Sequence, residues 1–206
     1  MFKDIPASAE TVLKRAFNNW GIFGLYGKVD IIVKQSGKNN WNSKIEKKPL
    51  SNSGEKKDNR DDLQVHVCSN RVQKELAVNL QPAHSGIIIG QIKDKRFLPN
   101  LSFAELVVRH NPKLNYPYAI LENKSSNLVM YGRDIMGNAI VDFFNGIKEN
   151  QILIVLNQKK EVIGIGRSRF SGNLIAQSDK ITIDNIQDIG THYLKGENRY
   201  GALHGD

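Results

Sequence analysis

The last third of the chain constrains its fold most, because glycines and polar turns separate short apolar runs there. Two of these runs are LVMYGRDIMG, at residues 128–137, and EVIGIGRSRFSG, at residues 161–172. Short strands separated by turns at this spacing are typical of a small closed β-barrel. The sequence therefore predicts a barrel whose strands lie at 128–130, 151–156, 162–166, 174–176 and 181–183.

The preceding part of the chain combines helical and strand patterns. Apolar residues recur at helical spacing over residues 9–20, and Val72, Leu76 and Leu80 fall four apart on one face of a helix that Ser69 would cap. A third helix is predicted at 101–109, with strands at 29–33, 63–67, 86–92 and 118–121. We therefore predict an α+β chain, with an N-terminal α/β domain at residues 1–122 and a small C-terminal β-barrel at residues 123–206.

Residues 34–62 are predicted to form a flexible insert in the first domain. This stretch is rich in Ser, Asn, Lys and Gly, and it has few apolar side chains besides Trp41, Ile45 and Leu50. Such a composition buries too little apolar surface to offset the entropy lost on ordering. Residues 34–60 carry eight Lys/Arg against three Asp/Glu, so the insert is also basic.

The balance of charge points to an anionic partner. The formal net charge is +8 and the pI is about 9.5, which favours RNA or DNA as that partner. Residues 1–122 carry 19 Lys/Arg against 12 Asp/Glu, whereas residues 123–206 carry 10 against 9. The argument for arginines in the barrel therefore rests on their placement and not on the net charge of that domain.

Side-chain alternation places two of these arginines together. Residues two apart in a strand share a face and lie about 7 Å apart, so Arg167 and Arg169 would present two guanidinium groups at the spacing of successive RNA phosphates. Gly164 and Gly166 would let RNA approach the backbone closely. We predict that four basic residues bind RNA: Arg133, Arg167, Arg169 and Lys180.

Other chemistries find little support in the sequence. Cys68 is the only cysteine, which excludes an internal disulfide and a cysteine-based zinc site, and the five histidines lack ligand spacing. Gly164-Ile165-Gly166 lacks the third glycine of a dinucleotide fingerprint. With no long apolar run and no leader, we expect neither a membrane span nor secretion. We predict no metal, no cofactor and no catalytic residue.

Three segments of the chain resemble known families. Residues 128–195 resemble a PUA domain, the RNA-binding fold named after pseudouridine synthases and archaeosine transglycosylases. VHVCSNRVQKELAVNL, followed by SGIIIGQIKDKRFLPNLSFAEL, resembles the N-terminal domain of the Nip-seven family of large-ribosomal-subunit assembly factors. In that family an α/β domain precedes a C-terminal PUA domain, and RFLPNL at residues 96–101 matches a recurrent element.

The resemblance implies a function as well as a fold. Members of the Nip-seven family are non-catalytic RNA-binding factors in ribosome biogenesis and pre-rRNA processing, with a preference for uridine-rich RNA. Their partners are the pre-ribosomal particle and other assembly or RNA-processing factors such as the exosome. Basic residues on the PUA strand after the glycine pair carry the RNA contact, and Arg167 and Arg169 occupy that place here. A composition rich in Lys, Asn and Ile suits an archaeal cytoplasm, and a eukaryotic member would be nucleolar or nuclear.

Two other classes of function stay open at this point. The chain could be an RNA-modifying enzyme, or a subunit of one, whose PUA domain presents the substrate RNA. It could also be a protein-interaction adaptor that binds RNA only incidentally. Against the enzyme, the N-terminal domain offers no nucleotide fingerprint and no Asp, Cys or Ser in a recognisable catalytic context.

Overall fold

The structure, a computed structural model, describes residues 1–35 and 62–190. Nearly all of the predicted insert at 34–62, and the chain beyond residue 190, lie outside the described residues. The chain divides into two compact units, Met1–Phe103 and Ala104–Asp206. Within the two described ranges, no helix is both long enough and apolar enough to cross a membrane.

The first unit is built on an antiparallel sheet of five strands in sequence order. Each neighbouring pair is antiparallel, and strands two and three align Ile32 with His66. The three strands predicted at 29–33, 63–67 and 86–92 are confirmed with small shifts in their ends, whereas the first and fifth strands were not predicted. The strands are β1 (Phe2–Asp4), β2 (Asp30–Gln35), β3 (Leu63–Cys68), β4 (Ile87–Lys93) and β5 (Arg96–Pro99).

An aromatic cluster anchors the first helix of this unit. The helices are α1 (Ala7–Asn19), α2 (Phe23–Tyr26) and α3 (Arg71–Leu80), and α4 (Leu101–His110) follows the sheet. Phe103 is fully buried, and its ring lies 5.5 Å from that of Phe17, 5.9 Å from Trp20 and 4.9 Å from Phe97. Edge-to-face aromatic packing therefore joins α1 to β5 and to the start of α4.

Helix α3 lies where the sequence predicts it, but with a different cap and a different buried face. Asn70, not Ser69, caps the helix, because its side-chain oxygen accepts a hydrogen bond of 2.8 Å from the Gln73 amide. The apolar side chains that indicated the helix are exposed to solvent: Val72 (64%), Leu76 (52%) and Leu80 (72%). The small side chain of Ala77 packs against the sheet instead, so the apolar period identified the helix without identifying its buried face.

The second unit contains a mixed sheet of six strands. The strands are β6 (Tyr118–Leu121), β7 (Ile135–Met136), β8 (Ile140–Phe143), β9 (Ile152–Leu156), β10 (Val162–Ser168) and β11 (Ile181–Asp188). Their order is β7-β11-β10-β9-β6-β8, with β6 and β9 parallel and the other neighbours antiparallel. A 3₁₀ turn at Gly137–Ala139 joins the two edge strands, so the sheet curves almost into the barrel that the sequence predicts.

Strand β6 belongs to the second sheet, although the predicted boundary assigned it to the first domain. Tyr118 aligns with Ile154 of β9, and Ala119 aligns with Phe143 of β8. The units divide after Phe103, upstream of the predicted boundary at residue 123. The polar run after β6 resembles a linker in sequence, but it forms the first turn of helix α5 (Asn123–Met130).

Two of the predicted barrel strands are helical. Residues 128–130 form the last turn of α5, and residues 174–176 end a 3₁₀ helix, Gly172–Ala176. A short apolar run fits a strand and a buried helical turn equally well, so its period does not separate them. Val129 and Ile175 fill the core from these helical turns, together with the following buried residues: Ala119, Leu121, Ile135, Ala139, Ile147, Leu153, Val155, Ile163 and Ile183.

Candidate RNA-binding surface

A cleft lies between the end of α5 and strand β7 in the second unit. Its volume is about 310 Å³. Apolar side chains form part of its lining, and polar side chains complete it. The apolar residues are Leu128, Val129, Ile135, Met136 and Ala139, and the polar residues are Ser125, Arg133, Asp134 and Asn138. A mostly apolar cleft with a few polar groups is typical of sites that bind small ligands or parts of larger ones.

Asn185 of β11 holds one wall of this cleft in place. Its side chain is buried, and the amide nitrogen donates hydrogen bonds of 3.0 Å to the Val129 carbonyl and 3.3 Å to the Arg133 carbonyl. The backbone amide of Asn185 also donates to Oδ1 of Asp134, at 2.9 Å. These bonds fix the backbone from the end of α5 to β7. The wall of the cleft is therefore held by the fold and is not a loose surface loop.

Two of the predicted RNA-binding residues adjoin the cleft. Arg133 lines it and is exposed. Lys180 is exposed and immediately precedes β11, where its carbonyl accepts a hydrogen bond of 3.0 Å from the Gly137 amide. The Lys180 ammonium also lies 5.8 Å from the centre of the Phe170 ring. The pairing of Met136 with Ile181 brings the two basic residues to the same β7–β11 edge.

Arg167 and Arg169 share the outer side of β10, as alternation predicts. The residue between them, Ser168, is fully buried, and its hydroxyl donates a hydrogen bond of 2.5 Å to the Lys148 carbonyl. Arg167 is half-buried and aligns with Asp184 of the neighbouring strand. Arg169 follows the end of the strand, is exposed, and donates its backbone N–H to Thr182 at 2.8 Å.

The Arg169 side chain is engaged by two carboxylates. Its Nε lies 2.6 Å from Oδ1 of Asp184, and its Nη2 lies 2.5 Å from the same oxygen. The same Nη2 lies 3.7 Å from Oδ2 of Asp134. The guanidinium group is therefore already ion-paired within the protein, and the two aspartates balance its positive charge.

The glycine pair of β10 has a packing role that differs from the predicted one. Gly164 and Gly166 are both buried. A Cβ at Gly166 would collide with Cγ2 of Ile183 and lie 3.4 Å from Cγ2 of Val155, both of which belong to the barrel core. The absence of a side chain at Gly166 thus leaves space for core residues on the inner face of the sheet. It does not expose the backbone to RNA on the outer face.

Sequence reasoning missed three polar residues that shape the surface. Asn185, Asp134 and Asp184 were not singled out, although each has a polar contact at the site. Asn185 had a detectable signal, because an asparagine within the apolar strand pattern ITIDNI is unusual and calls for buried partners. Asp134 and Asp184 had no such signal, because an ion pair between strands leaves no local pattern in the sequence.

The described part of the chain contains no cluster of side chains that could bind a metal ion. Residues 1–35 and 62–190 contain no group of three or more His, Cys, Asp or Glu side chains placed to hold a metal ion. On the second unit, the exposed Arg133 lies beside the apolar lining of the cleft.

Comparison with known proteins agrees with this architecture. The profile of the UPF0113 PUA domain matches residues 117–198, which begin one residue before β6. A UPF0113 protein of Archaeoglobus fulgidus is 30% identical over 123 residues, which cover 59% of this chain and 67% of that relative. The chain belongs to the UPF0113 family. A PUA domain in this family suggests RNA binding, and the match includes all four predicted basic residues.

Two solved structures share the fold over nearly the whole chain. A hypothetical protein from Pyrococcus horikoshii superposes with a TM-score of 0.60 at 12% identity, over 91% of this chain and 94% of that one. A conserved PUA domain protein from Thermoplasma acidophilum gives a TM-score of 0.55 at 12% identity, over 94% and 97% of the two chains. At this identity the likeness establishes the fold alone.

Proposed function

We propose that this UPF0113 protein is a non-catalytic RNA-binding factor whose second unit binds single-stranded RNA. The observation that carries the proposal is the cleft of about 310 Å³ beside β7, where Arg133 adjoins the apolar part of the lining. A nucleotide presents an anionic phosphate next to a flat, largely apolar base. Single-stranded RNA is recognised mainly through unstacked bases together with phosphate contacts.

In this proposal the cleft takes a base, and the surrounding cations take phosphates. Arg133 and Lys180 lie along the β7–β11 edge, and the half-buried Arg167 lies near the end of β10. The exposed apolar side chains of Met136 and Ile181, 43% and 39% accessible, form a surface on which a second base can pack. In this proposal, base recognition and phosphate binding use three neighbouring strands of one sheet, β7, β11 and β10.

We further propose a place in large-subunit ribosome biogenesis. The support is the resemblance to the Nip-seven family in VHVCSNRVQKELAVNL and RFLPNL, which form β3, α3, β5 and the start of α4 in the first unit. The RNA would then be pre-rRNA, and the partners would be the pre-ribosomal particle and processing factors such as the exosome. An archaeal cytoplasm is the proposed location.

A binding experiment tests the RNA contact. Fluorescence anisotropy with labelled single-stranded RNA, uridine-rich or of scrambled sequence, gives the affinity at several salt concentrations. Arg133→Ala and Lys180→Ala should each weaken binding and reduce the slope of log K against log salt by about 0.7, because each removes one phosphate contact. Lys159→Ala is the matched control, since Lys159 is exposed in the turn before the other end of β10.

Equal affinities and equal slopes for Arg133→Ala, Lys180→Ala and Lys159→Ala would contradict the proposal. Catalysis is tested separately, by incubating the protein with ribosomal or transfer RNA and common group donors, followed by mass analysis of the nucleosides. The proposal expects unchanged nucleosides, and a modified nucleoside would favour the RNA-modifying enzyme. Pull-downs with and without nuclease separate RNA-dependent partners from those of an adaptor.

A further inference from the structure

Three charged side chains meet at the rim of the RNA-binding surface. Arg169 lies after the end of β10, Asp184 lies within β11, and Asp134 lies just before β7. All three are partly exposed, with 43%, 31% and 40% of their side chains accessible to solvent. We propose that Asp184 competes with RNA phosphate for the Arg169 guanidinium and so limits the affinity of this surface for RNA. This inference rests on the proposed RNA-binding function.

The geometry of the guanidinium group is the first support. Arginine binds phosphate best through one edge, where two parallel N–H groups donate to two oxygens. The Nε and Nη2 atoms of Arg169 form such an edge: Nε donates a hydrogen bond to Oδ1 of Asp184, and Nη2 forms an ion pair with the same oxygen. An RNA phosphate reaches that edge only after it displaces the carboxylate.

The second support is that the fold keeps both aspartates beside the guanidinium group. The backbone of Asp184 is fixed in β11, where it aligns with Arg167 of β10. Asp134 is held by the backbone amide of Asn185, which donates to its other oxygen at 2.9 Å. A phosphate at Arg169 would therefore face two nearby negative charges against one guanidinium, which offsets most of the attraction.

The consequence is that Arg169 acts as a strut between strands more than as an RNA contact. Its guanidinium ties the end of β10 to β11 and to the cleft wall at Asp134. Arg133, which lines the cleft, is the stronger phosphate ligand in this arrangement. Removing the charge of Asp184 should turn Arg169 into an additional RNA contact.

Asp184→Asn is the test variant, because it keeps an oxygen acceptor for Arg169 but removes the negative charge. Glu161→Gln is the matched control: it makes the same change of charge at an exposed residue just before the opposite end of β10. Both variants, Arg169→Ala and the double variant Asp184→Asn/Arg169→Ala are measured in the anisotropy assay across salt. Thermal unfolding of each variant confirms that the fold is retained.

We expect Asp184→Asn to bind RNA about 3- to 10-fold more tightly, with a salt slope steeper by about 0.7, the value for one added phosphate contact on a single strand. Adding Arg169→Ala should abolish the extra slope. Glu161→Gln should change affinity less than twofold, and Arg169→Ala alone should weaken binding less than Arg133→Ala does. Unchanged or weaker binding by Asp184→Asn would overturn the inference while leaving the RNA-binding function in place. Absence of RNA binding by the wild-type protein would instead overturn the function itself.

Discussion

Gly166 offers a direct test of whether the glycine pair of β10 serves packing or RNA binding. In the structure the missing side chain points into the barrel, where a Cβ would collide with Cγ2 of Ile183. The same Cβ would lie 3.3 Å from the Asp184 carbonyl oxygen and 3.4 Å from Cγ2 of Val155. Gly166→Ala therefore adds one methyl group to a filled core.

The size of the effect follows from how little the neighbours can yield. Ile183 is β-branched, fully buried and part of a paired strand, so its Cγ2 cannot rotate away without leaving its rotamer. Overpacking of this kind typically costs about 1–3 kcal/mol. We expect Gly166→Ala to lower the free energy of unfolding by that amount. Ile183→Ala removes the obstructing methyl group, so in a double-mutant cycle the Gly166→Ala change should cost less in the Ile183→Ala background.

Urea denaturation followed by circular dichroism measures the change, and the RNA-binding assay is run on the same variants below their unfolding transition. Gly24→Ala is the control, because Gly24 lies in helix α2 and nothing lies within 4 Å of a Cβ built there. That variant should be neutral or stabilised by up to about 1 kcal/mol. Wild-type stability of Gly166→Ala would contradict the packing role. Wild-type stability together with a loss of RNA affinity would show that Gly166 serves RNA binding instead.

Three further predictions concern stability. Ser168→Ala should cost about 1–3 kcal/mol in urea denaturation, because it removes the hydroxyl partner of the Gln151 amide at 3.1 Å in a buried position. Leu76→Ser should change stability by less than about 0.5 kcal/mol, since 52% of Leu76 is exposed; a larger loss would mean that this face is buried. Burial lowers the pKa of His66 below its usual 6.5, although its bond to the Ser85 carbonyl opposes the shift. The unfolded chain then takes up the proton at higher pH, so the free energy of unfolding should fall as the pH drops below about 6.5, and His66→Gln should flatten that dependence in denaturant titrations.

The secondary structure of the chain was predictable where an element is long and its period is unambiguous. The amphipathic period of α1 and the apolar runs of β9 and β10 gave elements within a few residues of those observed. Strand β7, with two residues, carries too few side chains to show any period. Residues 128–130 were assigned to a strand because three apolar residues do not distinguish a strand from the buried turn of a helix.

Contacts between distant elements were not predictable in the same way. Strand β6 was located correctly, but its partners are β8 and β9, and nothing in Tyr-Ala-Ile-Leu specifies which sheet it joins. Alternation did predict that Arg167 and Arg169 share a face, because that property depends on the strand alone. The ion pair of Arg169 joins it to a residue 15 positions further along the chain, and no local pattern encodes that distance.

The ion pairs of Arg169 with Asp184 and Asp134 help to explain why the C-terminal domain is nearly neutral. Residues 123–206 carry 10 basic and 9 acidic side chains, yet the opposite charges are not spread evenly. Arg169 is balanced within the surface by Asp184 and Asp134, whereas Arg133 and Lys180 lie along the exposed β7–β11 edge. If those two residues are the phosphate contacts, the salt slope on single-stranded RNA should be about −1.4, from two contacts at about 0.7 each. The number of cations available to phosphate, and not the net charge of the domain, then sets how strongly the protein binds RNA.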